Sequence, residues 1–154
     1  MVNNKKIEKT IKNKYLFGML AGSLYIIIGI LQILTSFGDF LIIEIYLLIP
    51  NDIIGGFILI VIGSVYSFGV YEVRKGIFEG VAYFYVGIIL SIFFMMIYSL
   101  ILLVNYIQAN LFQLEEFSNW TPLDDLKPGI YLGILAIIGF ILWRENMSIK
   151  KISG

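Results

Sequence analysis

Residues 15–37, YLFGMLAGSLYIIIGILQILTSF, carry no ionisable group apart from the hydroxyls of Tyr15 and Tyr25. The hydrocarbon core of a bilayer is about 30 Å thick, and a helix needs roughly 20 consecutive apolar residues to cross it. This run is long enough. It is also far longer than the roughly 7–15 apolar residues of a cleavable signal peptide, and no A-x-A-like cleavage site follows it. It therefore predicts a first transmembrane helix.

Three further runs extend the pattern. Residues 53–71, IIGGFILIVIGSVYSFGVY, make a second span. Residues 81–107 form the longest run, which has to tilt or project beyond the hydrocarbon. Residues 129–143 are shorter, but Pro128 suits the first position of a helix and Arg144 can snorkel to the interface. The expected fold is all-α: an integral membrane four-helix bundle in a single domain of residues 1–154, with a short interfacial helix after the first span. Composition agrees, with 59% hydrophobic and 14% charged residues and a mean hydropathy of +0.90. Soluble domains carry about 45–50% apolar and about 25% charged residues.

The connections set a direction. Lys5, Lys6, Lys9, Lys12 and Lys14 lie in a basic arm, residues 1–14, before the first span. Arg74 and Lys75 lie between the second and third, and Arg144, Lys150 and Lys151 follow the fourth. Only Lys127 falls on the other side, in the segments 38–52 and 108–128. By the positive-inside rule both termini are cytoplasmic. The zero formal net charge is thus a cancellation. The cytoplasmic segments hold ten bases against Glu8, Glu72, Glu79 and Glu145, or +6. The external ones set Lys127 against Asp39, Glu44, Asp52, Glu115, Glu116, Asp124 and Asp125, or −6.

In the first external segment, Phe40–Ile49 is apolar, too short to cross, and contains Glu44. A carboxylate at the bilayer centre costs about 2.5–3.5 kcal/mol on insertion scales, so the segment reads as an interfacial helix with Glu44 toward water. A re-entrant path, or a Glu44 that docks a partner or an ion, is the alternative. In the second, Phe112, Phe117 and Trp120 suit headgroup depth. Its acid pairs, Glu115-Glu116 and Asp124-Asp125, lack the alternating acids and central Gly of an EF-hand calcium loop. No metal site is assigned. Between the second and third spans, Gly76 and Gly80 suit a tight turn.

Within the spans, small residues recur at helical spacing. Gly18 and Gly22 form a GxxxG with Gly29 two turns on, and Gly129 and Gly133 form another. Gly56, Gly63 and Ser67 share a 7-then-4 spacing with Gly80, Gly87 and Ser91. Beyond these small residues the two segments share no identities, so no duplication is inferred. Membrane helices associate by close van der Waals approach, which small residues permit. These are the expected helix-packing faces, within the chain or toward other subunits.

The function classes narrow by exclusion. The chain has no Cys and no His. That removes thiol redox chemistry, Cys/His metal sites, and His-dependent triads and relays. There is no phosphate-binding G-x-x-x-x-G-K-[ST] run. The mid-span regions lack Asp, Glu, Lys and Arg, the usual marks of an ion or proton pathway. Tyr25, Tyr66 and Tyr98 are the best candidates to line a ligand pocket, against the plainer reading that they bond to neighbouring helices.

The expectation is a non-catalytic subunit or accessory protein of a larger membrane assembly, not an enzyme, with no catalytic residues and no cofactor. Its partners are the lipid bilayer and other membrane subunits or further copies of itself, with no nucleic acid. The alternative is a small oligomeric transporter or channel with a Tyr-lined pocket. Abundant Ile, Lys and Asn point to an AT-rich genome, hence a prokaryotic plasma membrane.

Overall fold

The computed structural model describes residues 2–38, 48–77 and 79–147, with side chains from 12 to 38, 48 to 77 and 79 to 141. Among these residues there are four α-helices and no strand. They are α1 (Val2–Thr35), α2 (Ile53–Arg74), α3 (Gly80–Asn110) and α4 (Pro128–Met147). The Phe40–Ile49 reading, with Glu44, lies almost wholly outside the described residues. So do the side chains of the basic arm up to Ile11 and that of Arg144.

The helices outrun the apolar segments that nucleate them. α1 has 34 residues, about 51 Å at 1.5 Å per residue, and it absorbs the lysine-rich arm without a break. Segments Lys12–Thr35, Ile53–Arg74 and Gly80–Asn110 are each long and apolar enough to cross a bilayer. In α4 the shorter apolar portion is Pro128–Ile141, and the helix runs on through polar residues to Met147. Hydropathy marks where a helix sits in lipid, whereas backbone hydrogen bonding continues until a cap stops it.

Local chemistry explains two boundaries. Asp52 caps α2, its Oδ1 accepting the Gly55 N–H at 2.8 Å. At the other end Gly76 adopts φ +81°, a left-handed conformation that costs a side-chain-bearing residue energy. There the Ile77 N–H bonds to the Glu72 carbonyl and the Gly76 N–H to that of Val73, the paired bonds of a Schellman stop. Gly80 lies beyond the turn. It opens α3, and a Cβ on it would stand 3.0 Å from the Gly69 carbonyl oxygen, so its smallness serves the α2–α3 contact.

Successive helices pack antiparallel, and α4 closes the bundle on α1 where Gly139 meets the Phe17 ring. The α1–α2 seam is the tightest. A Cβ on Gly29 would fall 2.6 Å from the Gly56 carbonyl oxygen, and one on Gly56 would fall 2.7 Å from that of Gly29. Gly22 and Gly63 repeat the pairing two turns away, and the Ser67 hydroxyl turns back onto the Gly63 carbonyl at 2.9 Å. Four further glycines accept rings or long side chains: Gly18 takes Phe84, Gly87 takes Tyr66, Gly129 takes Tyr98, and Gly133 takes Met95.

Apolar residues lie both inside and outside. The interior holds Tyr25, Leu59, Ile62, Tyr66, Phe84, Ile88 and Ala136. Outward, α3 presents Ile89, Phe93, Met96, Leu100 and Leu103, every one more than half exposed. A water-soluble bundle would carry polar residues at those positions. Hydrocarbon is the solvent this surface suits.

Candidate functional site

Polar side chains collect at three levels of the bundle. The richest level is the distal end, where residues 48–52 and 111–127 connect the helices. Asp52 Oδ2 accepts the Tyr98 hydroxyl of α3 at 2.6 Å while Oδ1 holds the α2 cap. Gln32 of α1 completes the group. A Cβ on Gly55 would run into the Tyr98 hydroxyl, Asp52 Oδ2 and Gln32 Nε2 together, so the absent side chain is what lets three helices bring polar atoms to one point. Gln32 is 1% exposed, and its Oε1 has no hydrogen-bond partner among the described residues. Beside it the Thr35 hydroxyl lies 2.9 Å from the Gln32 carbonyl and 3.3 Å from that of Pro50, tying the end of α1 to the segment that enters α2.

A cleft of about 520 Å³ opens next to this cluster, between residues 48–51 on one wall and 121–127 on the other. Lys127 lines it, with Nζ 5.3 Å from the centroid of the Tyr98 ring. Asp124 lies at its edge, Oδ2 accepting the Thr121 N–H at 2.7 Å and the Thr121 hydroxyl at 3.1 Å. Behind it Asp125 is buried, and its Oδ2 accepts both Asn105 Nδ2 at 2.7 Å and Trp120 Nε1 at 2.8 Å. The neighbouring acids thus turn to different donors. Glu115 and Glu116 sit apart in an exposed 3₁₀ turn. Among the described residues, no group of three acids is placed to hold a metal ion.

The middle of the bundle holds Tyr25 of α1 and Tyr66 of α2, ring centroids 5.8 Å apart. Ser91 of α3 donates to the Gly87 carbonyl at 2.7 Å and lies 3.3 Å from the Tyr66 hydroxyl, whose proton it can accept. The Tyr25 hydroxyl is buried with no hydrogen-bond partner among the described residues. Of the three pocket candidates, two are therefore together. Tyr98 is two helical turns beyond Ser91, about 10 Å along the axis, and belongs to the distal cluster. At the opposite end, Lys14 is 8% exposed and donates to the Tyr85 hydroxyl at 3.0 Å.

Sequence reasoning missed Asp52, Asn105 and Lys127 as site residues. One local signal was present for Asp52: Pro50-Asn51-Asp52 immediately before an apolar run is a helix-start pattern. No local signal pairs Tyr98 with Asp52, 46 residues away.

Four apolar helices, a polar cluster under one set of connections and a cleft beside it define a small polytopic α-helical membrane protein. The family model described as MJ0565 integral membrane domain matches residues 7–145, reaching from α1 into the last turns of α4. The chain belongs to that family. It is similar to a protein of Methanocaldococcus jannaschii named "Uncharacterized protein MJ0565", 29% identical over 123 residues that cover 79% of this chain and 83% of the relative. No solved structure matches it.

Proposed function

We propose that the chain is a non-catalytic subunit or accessory protein of a larger membrane assembly in a prokaryotic plasma membrane, with both termini cytoplasmic. The observation that carries this reading is the contrast between inner and outer helix faces. The glycine faces lie against the chain's own helices and rings, and the mid-span regions hold no charged side chain. What is left to meet lipid, or another protein at bilayer depth, is a wall of large apolar residues, such as Ile89, Phe93, Met96 and Leu100 on α3. Purification in a mild detergent should co-isolate other subunits in fixed stoichiometry, and Phe93→Ala should weaken that association without unfolding the chain. A monodisperse monomer with no companion would refute it.

Orientation has its own test. The +6 and −6 faces support cytoplasmic termini, and the chain has no native Cys. A single Cys at Ser118 should react with a membrane-impermeant maleimide in intact cells, and one at Lys75 should react only after lysis. The reverse pattern would invert the topology.

A second reading, a small oligomeric transporter or channel, draws on the Tyr25 hydroxyl, buried beside Tyr66 and Ser91 with no hydrogen-bond partner among the described residues. Proteoliposomes loaded with a pH-sensitive dye would then show proton flux that Tyr25→Phe abolishes. Flux at the level of empty liposomes would end that reading for protons.

A further inference from the structure

We propose that the distal cleft binds an anionic amphiphile, its carboxylate or phosphate group on the Lys127 ammonium and its apolar body against Leu48, Ile49, Pro50, Leu123 and Leu126. At about 520 Å³ the cleft has the size of a small-molecule site, and such sites combine apolar walls with a few placed polar groups.

The charge of the ligand follows from which group still needs a partner. Asp52 accepts from Gly55 and Tyr98, Asp124 accepts twice from Thr121, and Asp125 accepts from Asn105 and Trp120. These three acids are thus engaged by donors of the chain itself. Lys127 is different. Its ammonium has three N–H donors, yet its contact among the described residues is the face of the Tyr98 ring. That ring is itself held, because its hydroxyl is bonded to Asp52 at 2.6 Å. The result is a partly buried cation beside that ring, short of an acceptor among the described residues. It is also the one basic residue in residues 38–52 and 108–128, segments that carry seven acids.

The apolar wall includes one of the two non-glycine residues with positive φ among the described residues, the other being Gln113. Leu48 has φ +50°, a left-handed conformation that is costly for a residue with a branched side chain. Strained backbone of this kind persists where the surrounding structure over-determines it, as at ligand clamps. The ligand can come from the bilayer, as an anionic lipid, or from solution, as a free amphiphilic acid.

Trp120, next to the Thr121 wall, is a natural reporter once Trp143 is replaced by Phe. This variant, in phosphatidylcholine nanodiscs, is titrated with decyl phosphate, decanoate, decyltrimethylammonium and inorganic phosphate, with empty nanodiscs as the partition control. The anionic amphiphiles should give a saturable change in Trp120 emission. Lys127→Gln should weaken it at least tenfold, while Lys12→Gln leaves it unchanged. Leu123→Glu, at an exposed rim position, should weaken it as well and guards against misfolding of the Lys127 variant. Equal binding by Lys127→Gln would overturn the proposal. So would equal affinity for the cationic amphiphile, or for inorganic phosphate alone. Replacing part of the phosphatidylcholine with phosphatidylglycerol decides the source: competition with the probe supports a lipid, and its absence supports a soluble acid. Because binding is read on the isolated chain, its failure leaves the accessory-subunit reading intact, and failure of that reading leaves this one intact.

Discussion

The α1–α2 seam and the distal end hold the same helices together by opposite means. Along the seam, Gly22, Gly29, Gly56 and Gly63 bring backbone close to backbone, with the side chains of Ile26, Ile33, Ile60 and Ser67 packed directly against them. At the distal end, long polar side chains from α1, α2, α3 and the last connection reach across to one another. Lipid is as apolar as the helix surface, so a seam inside the membrane draws its attraction from close packing. Near headgroup depth, water competes with protein hydrogen bonds, and directional pairs there specify geometry at modest net gain. The seam is therefore the part that tolerates least, and the distal end the part able to adapt to a ligand.

Gly29→Leu is the most severe test of that difference. The new side chain would meet the Gly56 carbonyl and the backbone of Ile60, neither of which can swing aside. Overpacking usually costs about 1–3 kcal/mol, and against backbone the expected loss is about 3 kcal/mol or more. For a chain of this size that lowers Tm by roughly 6 °C or more, measured in detergent. A Tm within a degree of the parent would mean that the two helices do not approach this closely.

Asp125→Ala comes next. It leaves Asn105 Nδ2 and Trp120 Nε1 without their acceptor beneath a buried position. The expected cost is about 2 kcal/mol, with a change in Trp120 fluorescence that Gly29→Leu does not produce at temperatures where it remains folded. Tyr98→Phe should cost less, about 1.5 kcal/mol for one hydrogen bond to a carboxylate. Asp52 keeps its cap on α2 in that variant, so helix content by circular dichroism should stay constant while Tm falls.

These residues also mark how far the chain could be read from its letters. The spans were legible because hydropathy is summed over roughly 20 residues, and single errors do not matter at that scale. The glycine spacing was legible as a set of small faces, since helical periodicity is local. What each glycine meets was not: Gly29 faces another backbone, whereas Gly18 faces Phe84, and the letters look alike. The join of Tyr98 to Asp52 depends on the register between α2 and α3, which a nine-residue interval such as 72–80 does not specify. Lys127 read as a stray charge because its neighbour in space is a ring on another helix. The tyrosines were singled out by type; all three are buried, but their level along the bundle divides them, Tyr25 and Tyr66 in the middle and Tyr98 at the distal end.

The smallest effect, and one of opposite sign, belongs to Tyr25→Phe. The hydroxyl is removed from a position 1% exposed, where it has no hydrogen-bond partner among the described residues. An unsatisfied buried hydroxyl carries a desolvation penalty, and replacing it with hydrogen of the same ring shape removes that penalty. The ring contact with Tyr66 remains, at 5.8 Å between centroids, so packing changes little. Tm should hold steady or rise, by an amount worth no more than about 1 kcal/mol. Tyr98→Phe, the same chemical change at the distal end, should lower it. If both variants destabilise equally, the Tyr25 hydroxyl has a bonded partner such as a buried water, and the sealed middle and the adaptable end are not distinct after all. If only Tyr98→Phe does, the two tyrosine levels are separated by one measured sign.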